Sequence, residues 1–247
     1  MSSSTTRISR ITRVRHELKL RALTVTRVGS LSPHMRSITL AGPDLHDFVS
    51  ASFDDHVKVM IPASEATALA RRDYTPRKFD PVTGELTLEF ALHGSGPAAE
   101  WASQAAPGMA LDVGGPRGSM IIPMDFDWHW LIGDESALPA IARRLEELPA
   151  QAVVQVLLRV TDPSDQRILP TRAQATVQWV HSDADCLAAL THWHLPEGEG
   201  FVWCAGEAAW VAEARRIVVD DKGVDKTCVR ASAYWKRGIS DHHENLG

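Results

Sequence analysis

The sequence predicts a chain in two parts, an antiparallel β-barrel or sandwich followed by a parallel-sheet α/β domain. Three observations carry that prediction. From about residue 20 to 120, short β-rich runs recur between turn residues without long helices, as in closed or stacked antiparallel sheets. After about residue 125, apolar runs alternate with helical stretches, the signature of βα units. Between them, PMDFD at 123–127 interrupts both patterns. The expected organisation is a flexible basic arm over 1–18, a first domain over 19–124, and a second over 125–247 that includes a C-terminal tail.

In the first part, RALTVTRVGSLSPHMRSITLAG holds two β-rich pieces around Gly29 and Pro33. HVKVMIP at 56–62 alternates like a strand, Tyr74 sits in another, and GELTLEFALHG at 84–94 is opened by a turn at Thr83 and Gly84. MALDVGGPRG at 109–118 is a sixth strand. The exception is GPAAEWASQA at 96–105, whose alanines and first-turn Pro97 predict a short helix.

In the second part, WHWLIG at 128–133 is an apolar strand, and ALPAIARRLEEL at 137–148 is an amphipathic helix with Pro139 in its first turn. AVVQVLLRV at 152–160 is almost continuously apolar, as expected of a parallel strand covered on both faces. TVQWVH at 176–181 and GFVWCAG at 200–206 are further strands, AAWVAEARRIVVDD at 208–221 is a helix, and TCVRASAYW at 227–235 closes the sheet.

Composition narrows the functional classes. The chain has 247 residues, 44% hydrophobic and 23% charged, which is ordinary for a globular protein. No apolar run approaches the roughly 20 residues of a membrane span, and the N-terminus lacks a secretory h-region. A cytoplasmic location, no membrane association and a monomer are the expected defaults. Cys186, Cys204 and Cys228 form no CxxC pair, so they read as buried small hydrophobes and not as metal ligands. His192/His194 and His242/His243 are the tightest histidine groupings, and neither has further ligands at metal spacing, so no protein-held metal is expected. The net charge is −5, yet eight of the first 36 residues are Arg or Lys against the single acid Glu17. The acidic remainder and the lack of a basic, aromatic-lined groove argue against nucleic acid.

Chemistry concentrates in four segments. In RDYT, Arg72 and Tyr74 stand two apart and so share one strand face, which suits a guanidinium on phosphate beside a phenol ring on an aromatic system. Thr75 points the other way. Roughly 20 residues on, HGSGP at 93–97 joins a strand end to a helix start, where free N–H groups attract phosphate and glycines permit close approach. GDESALPA at 133–140 and CAGEAAW at 204–210 both follow apolar strands, at the edge where open parallel sheets bind ligands. The GxGxxG fingerprint is absent, which suits a dinucleotide that comes and goes.

RDYTPR, HGSGPAAEWA, GGPRGS, GDESALPAIARRLEELP, CAGEAA and AYWKRG occur in the order and spacing of the siderophore-interacting proteins. The chain resembles that family, FAD-dependent ferric-siderophore reductases of the ferredoxin–NADP reductase-like superfamily, from about Arg21 to Ser240. The resemblance implies an FAD-binding β-barrel and an NAD(P)H-binding α/β domain. It implies that Arg72 contacts the FAD phosphates, that Tyr74 packs on the isoalloxazine ring, and that Thr75 hydrogen-bonds near its N5 edge. His93, Gly94, Gly96, Pro97 and Ala98 match the diphosphate and ribityl segment. Asp134, Glu135 and Ser136 match a nicotinamide-side loop, with serine where the family usually has threonine. Glu207 matches the later nicotinamide-side loop, and Tyr234 and Trp235 match a C-terminal aromatic pair that covers the flavin. Lys58, Arg117, Lys236 and Arg237 are the cationic positions near these motifs that would attract an anionic ferric siderophore.

No acid, base or nucleophile is required, and no catalytic residue is assigned. The expected function is FAD-mediated electron transfer from NADH or NADPH to siderophore-bound ferric iron. The alternatives are a general flavin or quinone reductase on the same scaffold and a ferric-siderophore carrier without redox work. Arg159 and Arg167 compete with Asp162 and Asp165 near the end of the second α/β strand, so the choice of nucleotide stays open. One outcome tests the reading of RDYT: Arg72→Ala weakens FAD binding in a titration, whereas changing Tyr74 alters the flavin spectrum more than its retention. Full flavin occupancy in the Arg72→Ala protein contradicts it.

Overall fold

The computed structural model describes residues 10–62, 69–92, 96–239 and 244–245. In the first lobe the strands are β1 (Thr12–Arg15), β2 (Leu20–Ser32), β3 (Met35–Ala41), β4 (Val57–Ile61), β5 (Ala70–Tyr74), β6 (Lys78–Asp80), β7 (Glu85–Ala91), β8 (Ala110–Gly114) and β9 (Gly118–Ile121). One helix, α1 (Pro97–Gln104), lies between β7 and β8. Seven strands form one antiparallel sheet in the order β5-β4-β8-β2-β3-β7-β6. Register shifts at Val25/Arg27 and Ser30/Ser32 break the ladder of the long β2, and such bulges bend and twist a strand. The sheet curls around Leu23, Ile38, Val59, Leu88, Phe90 and Val113, the inward members of alternating strands. Trp101 of α1 plugs the core against Phe90, with ring centroids 5.6 Å apart.

The barrel is left open between its edge strands β5 and β6. The chain Thr75–Arg77 spans that gap, the Arg77 N–H donates to the Thr87 carbonyl at 3.0 Å, and the Tyr74 ring reaches Phe90 at 4.2 Å. The motif RDYTPR is therefore the seam of the barrel.

Three strands of this lobe, β1, β6 and β9, lie outside the expected set. β6 has three residues, too few for a periodicity. β1 lies within the stretch expected to be a flexible arm, and Thr12–Arg15 is instead paired antiparallel with β9. All four of its residues are exposed, so no hydrophobic pattern marks it. Gly118 permits the pairing, since a Cβ there would collide with the Val14 carbonyl.

The second lobe contains β10 (Trp128–Gly133), α2 (Leu138–Glu147), β11 (Val153–Arg159), β12 (Gln174–Val180), α3 (Asp183–His192), β13 (Gly200–Glu207), α4 (Ala208–Arg216), β14 (Val229–Trp235) and β15 (Glu244–Asn245). The sheet order is β12-β11-β10-β13-β14-β15, with all pairs parallel except β14 and β15. The strand order reverses between β10 and β13, so the ends of those strands flank the switch point where such sheets bind ligands. α3 was also missed; Ser182 caps it, accepting from the Asp185 N–H at 3.0 Å. After α4 the chain widens into a π-helical turn over Ile217–Asp221. All three cysteines are buried, and burial pushes the Cys186 and Cys204 thiols up to about 12. Among the described residues, no helix is long and apolar enough to cross a membrane, and no three His, Cys, Asp or Glu side chains group to hold a metal.

Each lobe has its own apolar core; Phe53 of the first lobe packs into the core of the second, its ring centroid 5.4 Å from that of Trp203, and polar side chains make the contacts around it. Arg143 of α2 donates to the Ser50 hydroxyl at 2.8 Å, the Ser50 carbonyl at 2.9 Å and the Pro76 carbonyl at 2.9 Å. Arg77 forks onto both oxygens of Glu146 at 2.6 and 2.9 Å. Arg230 of β14 pairs with buried Asp54 at 2.5 Å. Asp165 accepts from the Ser32 hydroxyl at 2.6 Å and the His34 N–H at 3.0 Å. Burial opposes ionisation of Asp165, but these donors hold it below the usual carboxylate range. Arg144 pins the connecting segment by donating to the Ile122 and Pro123 carbonyls at 3.2 and 2.7 Å, and burial pulls its guanidinium down to about 10.

Gly200 faces Trp128 across β10 and β13, and a Cβ at Gly200 would overlap the indole ring. Gly200→Ala should therefore cost about 1–3 kcal/mol through overpacking. In a thermal melt that lowers Tm by several degrees; an unchanged Tm contradicts the packing described.

Candidate functional site

A cavity of about 460 Å³ lies between the lobes. Its barrel wall is the seam. Arg72 and Tyr74 pair with Val59 and Val57, which point into the core, so the two share one face as their spacing required. The Arg72 guanidinium donates to the Arg71 carbonyl at 2.7 Å and borders the cavity. Burial raises the Tyr74 phenol above its ordinary pKa. Thr75 falls one residue beyond β5 and is buried, and its hydroxyl hydrogen-bonds Tyr234 of the opposite lobe.

Gly96 is the N-cap of α1 and Pro97 its first residue, and no side chain caps the helix. The first-turn N–H groups of Ala98 and Ala99 thus belong to an uncapped helix start at the cavity wall. A Cβ on Gly96 would meet nothing within 4 Å. The space beside it is an open cradle, of the kind a phosphate-bearing ligand fills. His93 and Gly94 lie outside the described residues.

The α/β wall is built at the ends of β10, β13 and β14. Asp134 is 1% exposed. Its Oδ1 accepts from the Ser136 N–H at 2.9 Å and the Ser136 hydroxyl at 2.5 Å, and its Oδ2 accepts from the Glu207 N–H at 2.9 Å and Trp235 Nε1 at 2.9 Å. Burial raises its pKa, and the Ser136 bond opposes that rise. Glu207 is also buried: it caps α4 by accepting from the Ala209 N–H at 2.8 Å, and it accepts from the Arg237 N–H at 3.3 Å. Asp134 and Glu207 thus face the protein, while Glu135, Ser136, Tyr234 and Trp235 border the cavity. The Glu135 carboxylate is paired with Arg159 at 3.0 Å. Burial raises the Tyr234 phenol as well, with nearby Asp54 adding to the shift.

The cationic candidates are dispersed. Lys58 is held by Asp73 at 3.0 Å, on the face of β4 and β5 opposite Arg72 and Tyr74. Arg117 is exposed on the turn between β8 and β9, away from the cavity lining. Lys236 and Arg237 directly follow Trp235, and Arg237 pairs with Asp183 at 2.9 Å. The charges near the end of β11 are engaged within the protein: Arg159 with Glu135 and Asp183, Arg167 with Glu89, Asp165 with Ser32 and His34, and Asp162 with the Ser164 N–H.

Of the described lining residues, seven escaped sequence reasoning, among them His56, Glu89 and Ile239. Glu89 occupies an ordinary polar position in an alternating strand, and only the fold reveals that its outer face meets the second lobe. His56 merely opens the alternating run HVKVMIP, and Ile239 stands in no pattern.

The family model for the siderophore-interacting FAD-binding domain matches residues 24–70 and 63–120, and that for the siderophore-interacting protein matches residues 126–238. An NADPH-dependent ferric-chelate reductase of Escherichia coli is 36% identical, covering 90% of this chain and 95% of the relative. The chain belongs to the siderophore-interacting protein family. The ferric vibriobactin reductase ViuB of Vibrio cholerae is 30% identical to this siderophore-interacting protein over 91% of the chain and 93% of the relative. The crystal structure of a siderophore utilization protein from T. fusca superposes with a TM-score of 0.89 at 35% identity, covering 94% of this chain and 98% of that one.

The bond between Tyr234 and Thr75 ties the two walls together. Tyr234→Phe should cost about 1 kcal/mol, read as a Tm lower by roughly 2–4 °C. A melt identical to that of the unchanged protein would remove this bond from the account.

Proposed function

We propose that this siderophore-interacting protein is a ferric-siderophore reductase that passes electrons from NAD(P)H through FAD to chelated iron. The observation that carries the reading is the single cleft in which the Arg72–Tyr74 face and the α1 start oppose the switch-point loops of the α/β lobe. The open cradle at Gly96, the uncapped helix and the neighbouring guanidinium suit a dinucleotide phosphate. The aromatic side chains of Tyr74, Tyr234 and Trp235 suit a flat ring system.

Bound FAD would supply the exchange between a two-electron hydride donor and a one-electron ferric acceptor. Arg72 and the α1 N–H groups hold its phosphates, with His93 and Gly94 assigned to the same segment. Tyr74 supports the ring system, and Thr75 fixes the spacing of the walls through Tyr234. Glu135 and Ser136 border the nicotinamide side, supported from behind by Asp134 and Glu207. Lys236 and Arg237 attract the anionic chelate at the mouth, and Lys58 and Arg117 contribute at longer range. The residues of the site are asked to bind, orient and exclude water, so no proton-transfer group is assigned.

Siderophores hold iron through hard oxygen donors that favour the ferric state, so reduction loosens the metal without breaking the ligand. The functional reading follows the two named reductases among the relatives. The division into a flavin lobe over 19–124 and a nucleotide lobe over 125–247 is part of the same proposal. Because one chain completes both walls of the cleft, the unit proposed is a monomer, acting in the cytoplasm where reduced pyridine nucleotides are held.

Purified protein reconstituted with FAD should show a flavin spectrum that bleaches on anaerobic addition of NADH or NADPH. Adding a ferric siderophore with a ferrous trap should then restore the oxidised spectrum and yield ferrous iron. Flavin binding without reduction of any ferric chelate refutes the proposal.

A further inference from the structure

Asp134 stands behind the nicotinamide side of the cleft without lining it. Its carboxylate collects four hydrogen bonds, two from Ser136 on its own loop, one from the Glu207 backbone after β13 and one from the Trp235 indole at the end of β14. Those three places are the ends of β10, β13 and β14, two of them flanking the switch point. The Ser136 and Glu207 N–H groups and the Trp235 indole can only donate, so both oxygens of the carboxyl group accept from donors fixed on three separate strand ends.

A second, independent feature serves the same group. Gly206 adopts φ +150°, and a Cβ there would lie 2.5 Å from Asp134 Oδ2 and 2.6 Å from the Trp210 ring. The glycine of CAGE is thus required for the carboxylate to reach the backbone after β13. A carboxyl group tied to three strand ends is expensive to bury unless each bond is made, and here each is.

We infer that Asp134 is a positioning residue for the pyridine nucleotide: it ties both nucleotide-side loops to Trp235 and holds the indole as a fixed wall of the cleft. The inference rests on the reductase reading above. It makes Trp235 a part of the nucleotide site whose placement depends on a side chain that touches no ligand. Asn at position 134 would turn its amide N–H₂ either toward the Glu207 N–H and the Trp235 indole, losing both bonds, or toward Ser136, whose hydroxyl can accept from it while the Ser136 N–H loses its acceptor, so at least one bond is lost though size and shape are kept.

The test uses the full chain reconstituted with FAD and titrated with NADP⁺ and with NAD⁺, neither of which can reduce it, while the flavin absorbance is followed. Asp134→Asn should weaken the tighter-bound nucleotide about tenfold or more. FAD occupancy is read from the flavin absorbance in the same titration, so that nucleotide binding is counted per bound flavin. Trp235→Phe, which keeps a ring and removes one donor, should weaken the same nucleotide by a smaller factor of about three to five. A purely structural carboxylate would lower Tm and leave both nucleotide constants at their original values, and that result overturns the inference. Should Asp134→Asn fail to fold, Trp235→Phe and Ser136→Ala carry the test, and unchanged nucleotide binding in both overturns it. If the unaltered protein takes up no FAD, or its flavin is not bleached by NADH or NADPH, the reductase reading itself has failed, an outcome separable from the comparison of variants.

Discussion

The arginines that cross between the lobes are the constraint on which the cleft depends. Each lobe closes its own apolar core, so the hydrophobic effect builds two bodies, joined where Phe53 of the barrel packs on Trp203, and leaves their orientation undetermined. That relation is fixed by directional bonds. Arg143 reads three oxygens of the barrel, Arg77 forks onto Glu146, Arg230 pairs with Asp54, and Arg144 fastens the connecting segment. A guanidinium has a planar fork of donors and no freedom to adjust its geometry cheaply, so a polar interface of this kind specifies an angle and a spacing. Removing one partner strands the other in a half-buried place, which is the expensive way to lose an ion pair.

Much of the fold was legible because its strands and helices carry clean periodicities. WHWLIG, AVVQVLLRV and GFVWCAG are almost continuously apolar and become the adjacent parallel strands β10, β11 and β13, while GELTLEFALHG alternates and becomes the half-covered antiparallel strand β7. What failed had no pattern to read. Thr12–Arg15 is exposed at every position, and its strand exists only because β9 offers a partner. Lys78–Asp80 is a strand by proximity to β7. Asp183–His192 is a helix whose apolar face is weak, recognisable in retrospect from its serine cap.

The site was legible in a different way. Spacing alone placed Arg72 and Tyr74 on one face, and strand ends alone placed GDES and CAGE at one edge. Sequence does not distinguish a side chain that touches a ligand from one that holds its neighbour. Asp134 and Glu207 sit in the right loops and turn inward, Lys58 is spent on Asp73, and the mixed charges after β11 all find partners within the chain. Those outcomes depend on which strands become neighbours, and no local window contains that information.

The short β15 has a bearing on how this chain behaves in company. β14 would otherwise end the parallel sheet with a row of unpaired N–H and C=O groups, along the strand that carries Tyr234 and Trp235. Glu244 and Asn245 return antiparallel along it opposite Ala233 and Ser232. An exposed edge of that composition is a template for adding a foreign strand. By pairing with it at Ala233 and Ser232 and placing a carboxylate there, Glu244 and Asn245 leave less of that edge open to a foreign strand.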